Sequence, residues 1–176
     1  LVRDERIDVA VASDLVRASE TARIVLAGRD VPLRLDPQWR EMRFGEWEGL
    51  RWDEIVARTP ALTGAARTSI RAYDPPGGEN FDALCARIGG AVAPVIAELD
   101  DDGVALIATH AGPLHALLRV LLGEAEAEAL GVRFATASIT RFRRTAGRWE
   151  LIDLNLTAEP REDFKADDSP TRNRPA

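Results

Sequence analysis

Cysteine, histidine and lysine are nearly absent from this sequence. Its 176 residues include one cysteine, Cys85, two histidines, His110 and His115, and one lysine, Lys165. A single cysteine excludes an internal disulfide. One thiol and two imidazoles are too few for the usual four-ligand zinc site, so no metal is expected. No apolar run approaches the roughly 18 residues that a membrane helix needs, and no signal peptide is visible, so a cytoplasmic location is expected. The formal net charge of −6 argues against a nucleic acid or an anionic membrane as partner. The patterns G-x-x-x-x-G-K, G-x-G-x-x-G and G-x-S-x-G are missing, which removes P-loop, dinucleotide-binding and serine-hydrolase readings. With one lysine, almost all the positive charge is arginine. Genome composition is the first explanation, although arginine is also the better bidentate clamp for phosphate.

What is present suits one soluble globular domain: 45% hydrophobic and 30% charged residues in a length that can bury a sizeable core. "IDVAVA" (7–12) reads as a buried strand, and "DLVRASETARIVLAG" has helical spacing through Leu15, Ala18, Ala22 and Val25 with Gly28 as its stop. "VPLRLD" (31–36) alternates as a short strand, residues 37–49 are irregular, and "RWDEIVAR" (51–58) is a short helix. After a loop over 59–78, a long helix from Glu79 to Leu99 places Phe81, Leu84, Ile88, Val92, Val95 and Leu99 on one face. "VALIAT" (104–109) is the clearest buried strand, and Pro113 suits the first position of the next helix, which runs to about Leu122. A short helix over 124–130 follows, then a hairpin about Ala146-Gly147. Residues 1–156 are expected to form the domain and the polar residues 157–176 a disordered tail. Strands alternating with helices, closed by a hairpin, predict an α/β layered sheet, mostly parallel with an antiparallel element. Ligands of such sheets sit at the carboxyl ends of the strands.

Three polar groups map to those ends. His110 terminates a strand and precedes a helix N-terminus whose free N–H groups favour an anion, beside small neighbours, Ala111 and Gly112. A histidine merely satisfied at a strand end fits the same position. Arg17 falls in the first turn of a helix, where a cation opposes the helix dipole and a bound anion relieves it; a solvated arginine is the plainer reading. "EMRFGEWEG" (41–49) sets Glu41, Glu46 and Glu48 among Phe44 and Trp47, surroundings that can raise a carboxyl pKa toward general-acid use. Spacing does not choose among the three glutamates. Ser13 and Thr21 read as a cap and a packed hydroxyl, His115 as structural, "PPGGEN" (75–80) as a turn and helix start, and Cys85 as an inert core residue.

In their order, "VASDLVRASETA", "EMRFGEWEGL", "PPGGENFDALCARI", "LIATHAG" and "WELIDLN" resemble the successive motifs of the histidine phosphatase superfamily, the phosphoglycerate-mutase-like fold, from about residue 7 to 156. The short span between "EWEGL" and "PPGGEN" resembles the phosphatases more than the mutases. The resemblance implies a three-layer α/β/α sandwich with a mostly parallel mixed sheet. It implies hydrolysis of small-molecule phosphomonoesters through a phosphohistidine, with no cofactor. Carried over by position, Arg17 matches the arginine that grips the phosphoryl group and Glu41 the glutamate that protonates the leaving oxygen. His110 matches the second histidine, which stabilises the phosphoryl charge, and Ala111 adds backbone beside it. The family's nucleophile stands in an Arg-His-Gly motif on its first strand, and no Arg-His-Gly occurs in this sequence. The resemblance therefore implies a chain lacking that strand and its nucleophile, and so inactive as given, with a non-catalytic phospho-ligand binder as the alternative and a mutase as a weaker one. Substrate preference is expected from the loops at 37–50 and 59–78, where Trp39, Trp47, Trp52 and Tyr73 are candidates for an apolar rim.

Overall fold

The computed structural model describes residues 1–62 and 69–158. β1 (Val9–Ala12), α1 (Val16–Leu26) and β2 (Leu33–Leu35) open the chain. Two short 3-10 turns, Pro37–Trp39 and Gly45–Trp47, carry it to α2 (Trp52–Arg58). A third turn, Ile70–Ala72, precedes α3 (Phe81–Ala97) and β3 (Ala105–Ala108). α4 (Ala111–Leu122), α5 (Glu124–Ala129), β4 (Ile139–Thr145) and β5 (Arg148–Leu156) complete it. The expected tail falls almost wholly in residues 159–176, and part of the loop at 59–78 in residues 63–68, both outside the described residues.

β1 is the centre of a parallel sheet ordered β2-β1-β3. Its four residues, Val-Ala-Val-Ala, are small or β-branched, as a strand covered on both faces requires. Alternate side chains leave on opposite faces. Val11 joins the core that α3 and α4 build, with Leu84, Ile88, Val92 and Leu117, while Ala10 packs on the other face with Ile7 and Leu26 of α1. This gives three layers, helix on sheet on helix. The stripe read from the sequence of α3 is the one buried, through Phe81, Leu84, Ile88, Val92 and Val95. Asn80 caps α3 by accepting from the Ala83 N–H at 2.9 Å, and the helix continues through Pro94. β4 and β5 pair antiparallel across Ala146-Gly147, both of which adopt the positive φ of a tight hairpin.

Two expectations need correction. Residues 104–109 are not a fully buried strand, because every residue of β3 is only half-buried. One edge of β3 pairs with β1. The other pairs with no strand among the described residues, and the hairpin forms a separate two-stranded sheet. Residues of β3 and β4 together line a groove of about 2190 Å³. Pro113 is also not at the first position of α4. The helix starts two residues earlier, at Ala111, with His110 as its cap. Proline is still tolerated at its third position, because first-turn N–H groups lack partners within the helix.

The ends of the three strands are in step. The register pairs Ala12 with both Leu35 and Ala108. The Ser13 N–H then donates to the Ala108 carbonyl at 2.9 Å and the Asp36 N–H to the Ala12 carbonyl at 2.9 Å. This alignment delivers Ser13, the loop after Asp36 and His110 to one edge of the sheet.

Candidate active site

His110 leaves β3 at that edge in an extended conformation, and only 8% of its surface is exposed. Both ring nitrogens are engaged. Arg17 Nε donates to Nδ1 at 3.1 Å, and Nε2 lies 2.9 Å from the Ser13 hydroxyl, which is itself fully buried. Burial, and then the positive charges of Arg17 and Arg87, push the imidazole down to about 4, with Asp14 acting weakly in the other direction. The ring is therefore neutral at physiological pH.

Arg17 is the second residue of α1 and is exposed. It forms no ion pair among the described residues, unlike Arg40, which holds Asp14 in a two-bond fork at 2.7 and 2.6 Å. A cation at a helix start, set on a neutral histidine and without an ion-pair partner among the described residues, is available to an anion.

Glu41 is the glutamate that the fold brings to this edge. Its Oε1 accepts from the Gly112 N–H in the first turn of α4 at 3.0 Å and from the Met42 N–H at 2.8 Å. Burial lifts its carboxyl above the usual range, against the two N–H bonds and the charges of Arg17 and Arg87. A Cβ on Gly112 would collide with Oε1. Glu46 is exposed, and Glu48 turns back to accept from the Phe44 N–H at 2.9 Å. Ala111 opens α4 immediately after His110. Arg17, Glu41, His110 and Ala111 thus line one end of the groove.

Sequence reasoning missed the strut beneath Glu41. Glu79 is 2% exposed and takes the Arg87 fork on both oxygens at 2.8 Å. Burial alone would raise its carboxyl; Arg87 brings it below the ordinary range instead. Arg87 also donates to the carbonyls of Gln38, Arg40 and Glu41, so α3 holds the backbone that carries Glu41. "PPGGEN" is a turn and helix start as expected, but it also delivers this buried acid. The one signal for the pair was an arginine eight residues, about two helical turns, beyond the acid. Ser13 was legible only as a cap. It does not cap α1, whose N-cap is Leu15 without a side-chain bond; its hydroxyl accepts from the Leu15 N–H just ahead of the helix at 3.3 Å and reaches His110 besides.

The aromatic candidates divide. Trp39 is fully buried and belongs to the core, not to a rim. Trp47 is also buried, whereas Tyr73 stands among Phe44, Trp47 and Trp52 at centroid distances of 6.4, 6.1 and 5.9 Å. His115 meets the ring of Phe134 edge-on at 4.9 Å.

The model of one protein family, the histidine phosphatase superfamily (branch 1), matches residues 1–157. The chain belongs to this superfamily. Among its relatives is the adenosylcobalamin/alpha-ribazole phosphatase of Salmonella typhimurium, 32% identical over 154 residues, which span 88% of this chain and 71% of that protein. A 2,3-bisphosphoglycerate-dependent phosphoglycerate mutase of Methylobacterium radiotolerans is 33% identical over 146 residues, 79% of this chain and 68% of its own length. Among solved structures, the mycobacterial glucosyl-3-phosphoglycerate phosphatase in complex with inorganic phosphate superposes with a TM-score of 0.75 at 28% identity, over 86% of this chain and 78% of the other. The layered α/β fold is that of the phosphoglycerate-mutase-like histidine phosphatases. In this histidine phosphatase chain, no helix among the described residues is long and apolar enough to cross a membrane. No group of three or more His, Cys, Asp or Glu among them could hold a metal ion.

Proposed function

We propose that this chain is the phosphate-binding body of a phosphomonoesterase that works through a phosphohistidine. The observation that carries the reading is the exposed Arg17 guanidinium, which forms no ion pair among the described residues and is seated on His110, the cap of a twelve-residue helix. In this reading Arg17 and His110 grip the phosphoryl group, with the α4 N-terminus at Ala111 beside it. Glu41, whose carboxyl burial keeps protonated to higher pH than usual, gives its proton to the leaving alcohol oxygen. Fixed positive charge stabilises the transferring group, as in other phosphoryl transfers.

The attacking histidine is neither of the two present. His110 has both nitrogens engaged in the clamp, and His115 lies within α4 against Phe134. The nucleophile is then supplied by a strand seated in the groove between β3 and β4. Residues 1–176 alone bind a phosphomonoester without hydrolysing it. The names of the relatives suggest an organic phosphomonoester whose alcohol is bulky, such as a riboside or a glycosyl glycerate. The mutase reading has a relative in its favour. Against it stands the short segment between Leu50 and Pro75, which leaves little chain for a further insertion.

The test is the intact mass and phosphatase turnover of the protein purified from its native source. A mass above that of residues 1–176, turnover of phenyl phosphate, and ³²P recovered on histidine after rapid quench are the expected results. Arg17→Ala made in the native gene lowers turnover by about 10²-fold, the scale of losing one oxyanion-type donor. A mass equal to residues 1–176 with no turnover replaces this reading with the non-catalytic binder. Turnover that is indifferent to Arg17→Ala removes the assignment of the site.

A further inference from the structure

The two hydrogen bonds of His110 fix where its proton sits. An arginine Nε–H donates and cannot accept, so Nδ1, at 3.1 Å from Arg17 Nε, is an acceptor. The neutral ring then carries its hydrogen on Nε2, and Nε2–H donates to Ser13 Oγ at 2.9 Å. The surroundings hold the ring to one proton. The positive charges of Arg17 on α1 and Arg87 on α3 act on it, Asp14 beside β1 offsets them only weakly, and the ring is buried.

Phosphate reverses the demand on Nδ1. A phosphoryl group that takes Arg17 removes the donor from Nδ1 and presents acceptor oxygens in its place. Acceptor against acceptor is repulsive, and a buried lone pair left without a donor is costly. The conflict resolves without a second proton if hydrogen leaves Nε2 and arrives on Nδ1. Nε2 then becomes an acceptor and needs a donor at the same place. A carbonyl partner can only accept and an amide N–H can only donate. A hydroxyl does either, having one proton and two lone pairs. The Leu15 N–H occupies one lone pair of Ser13 Oγ, which leaves the other lone pair and the proton for His110.

We infer that Ser13 is a positioning residue, a two-way hydroxyl partner that lets His110 exchange its Nε2–H tautomer for the Nδ1–H tautomer when a phosphoryl group draws Arg17 away. The inference rests on the phosphate-site reading above. The protons balance: solvent takes one from Nε2 and returns one to Nδ1, and Ser13 keeps its own, rotating it toward Nε2. His110 stays neutral and becomes a donor to the phosphoryl oxygen.

The experiment uses protein from the native gene labelled with ¹⁵N-histidine, with the His110 signals identified by their loss in His110→Gln. Phenylphosphonate, which is not hydrolysed, serves as ligand above its second ionisation, so that it brings no proton of its own. Imidazole ¹⁵N spectra are expected to show Nε2–H without ligand and Nδ1–H with it. Calorimetry in buffers of different ionisation heat is expected to show no proton uptake. Ser13→Ala is expected to weaken phosphonate binding about tenfold, since it leaves buried Nε2 without a donor, and Ser13→Thr, which keeps a hydroxyl, to recover part of it. An Nε2–H tautomer in both states overturns the inference. So does a doubly protonated ring with one proton taken up per ligand. If neither Ser13 variant folds, the spectra of the unaltered protein decide alone. Failure of phenylphosphonate to bind overturns the site reading and this inference together, whereas binding with the proton unmoved overturns this inference only.

Discussion

Replacing Gly112 with alanine tests how closely α4 and Glu41 fit. Gly112 has no positive φ, so an alanine there brings no backbone strain. Alanine is the better helix former by up to about 1 kcal/mol, and local propensity alone predicts stabilisation. The tertiary structure predicts the opposite. The new methyl falls on Glu41 Oε1, with Glu41 Cδ at 3.3 Å and Met42 Cβ at 3.4 Å behind it. The carboxyl must leave the Gly112 and Met42 N–H groups, which it meets at 3.0 and 2.8 Å. Stranding buried polar groups costs about 1–3 kcal/mol, and overpacking costs a similar amount. The net expectation is a loss of about 2–4 kcal/mol. At about 2–4 °C per kcal/mol for a domain of this size, the melting temperature falls by roughly 4–16 °C. In a Glu41→Ala background the collision partner is gone, and Gly112→Ala becomes close to neutral. The assay is a double-mutant cycle by urea unfolding on the protein from the native gene. A coupling of about 2 kcal/mol or more supports the geometry. Additivity within about 0.5 kcal/mol, the behaviour of independent sites, refutes it.

Stability is also expected to fall in mild acid because of His110. Its folded pKa of about 4 lies below the ordinary 6.5, so the unfolded chain binds the proton first. The contribution is full above pH 6.5 and drains away as pH drops toward 4, by up to about 3 kcal/mol at 1.36 kcal/mol per pH unit. Urea unfolding at pH 7 and pH 5 measures it, and His110→Gln should flatten the difference; an equal pH dependence in both proteins contradicts the assignment. Removing one partner of the Glu79–Arg87 pair leaves the other buried and unpaired. Arg87→Met is therefore expected to cost about 3–5 kcal/mol, and adding Glu79→Leu to restore part of that loss. A double variant less stable than Arg87→Met alone would speak against the paired-charge account.

The elements and the edge at which they end are legible in local sequence pattern. Short Val-Ala and Leu-Ile-Ala runs, an apolar stripe at helical spacing in α3 and a Gly-bearing hairpin turn act within a few residues of one another, so they are visible in one dimension. The same locality placed His110 between a strand and a helix and Arg17 at a helix start. Only the tertiary structure chose Glu41 over Glu46 and Glu48, because the choice depends on an N–H of Gly112, 71 residues away. Only it joined Ser13 to His110 across 97 residues and left β3 half-buried beside a groove. Trp39 entered the core rather than a rim for the same reason: the residues that cover it, Met42 nearby and Leu84 and Ile88 far along the chain, meet only when the layers close. Propensity and periodicity are written into neighbouring residues. Hydrogen-bond partners and burial are set by where the strand register brings distant segments together.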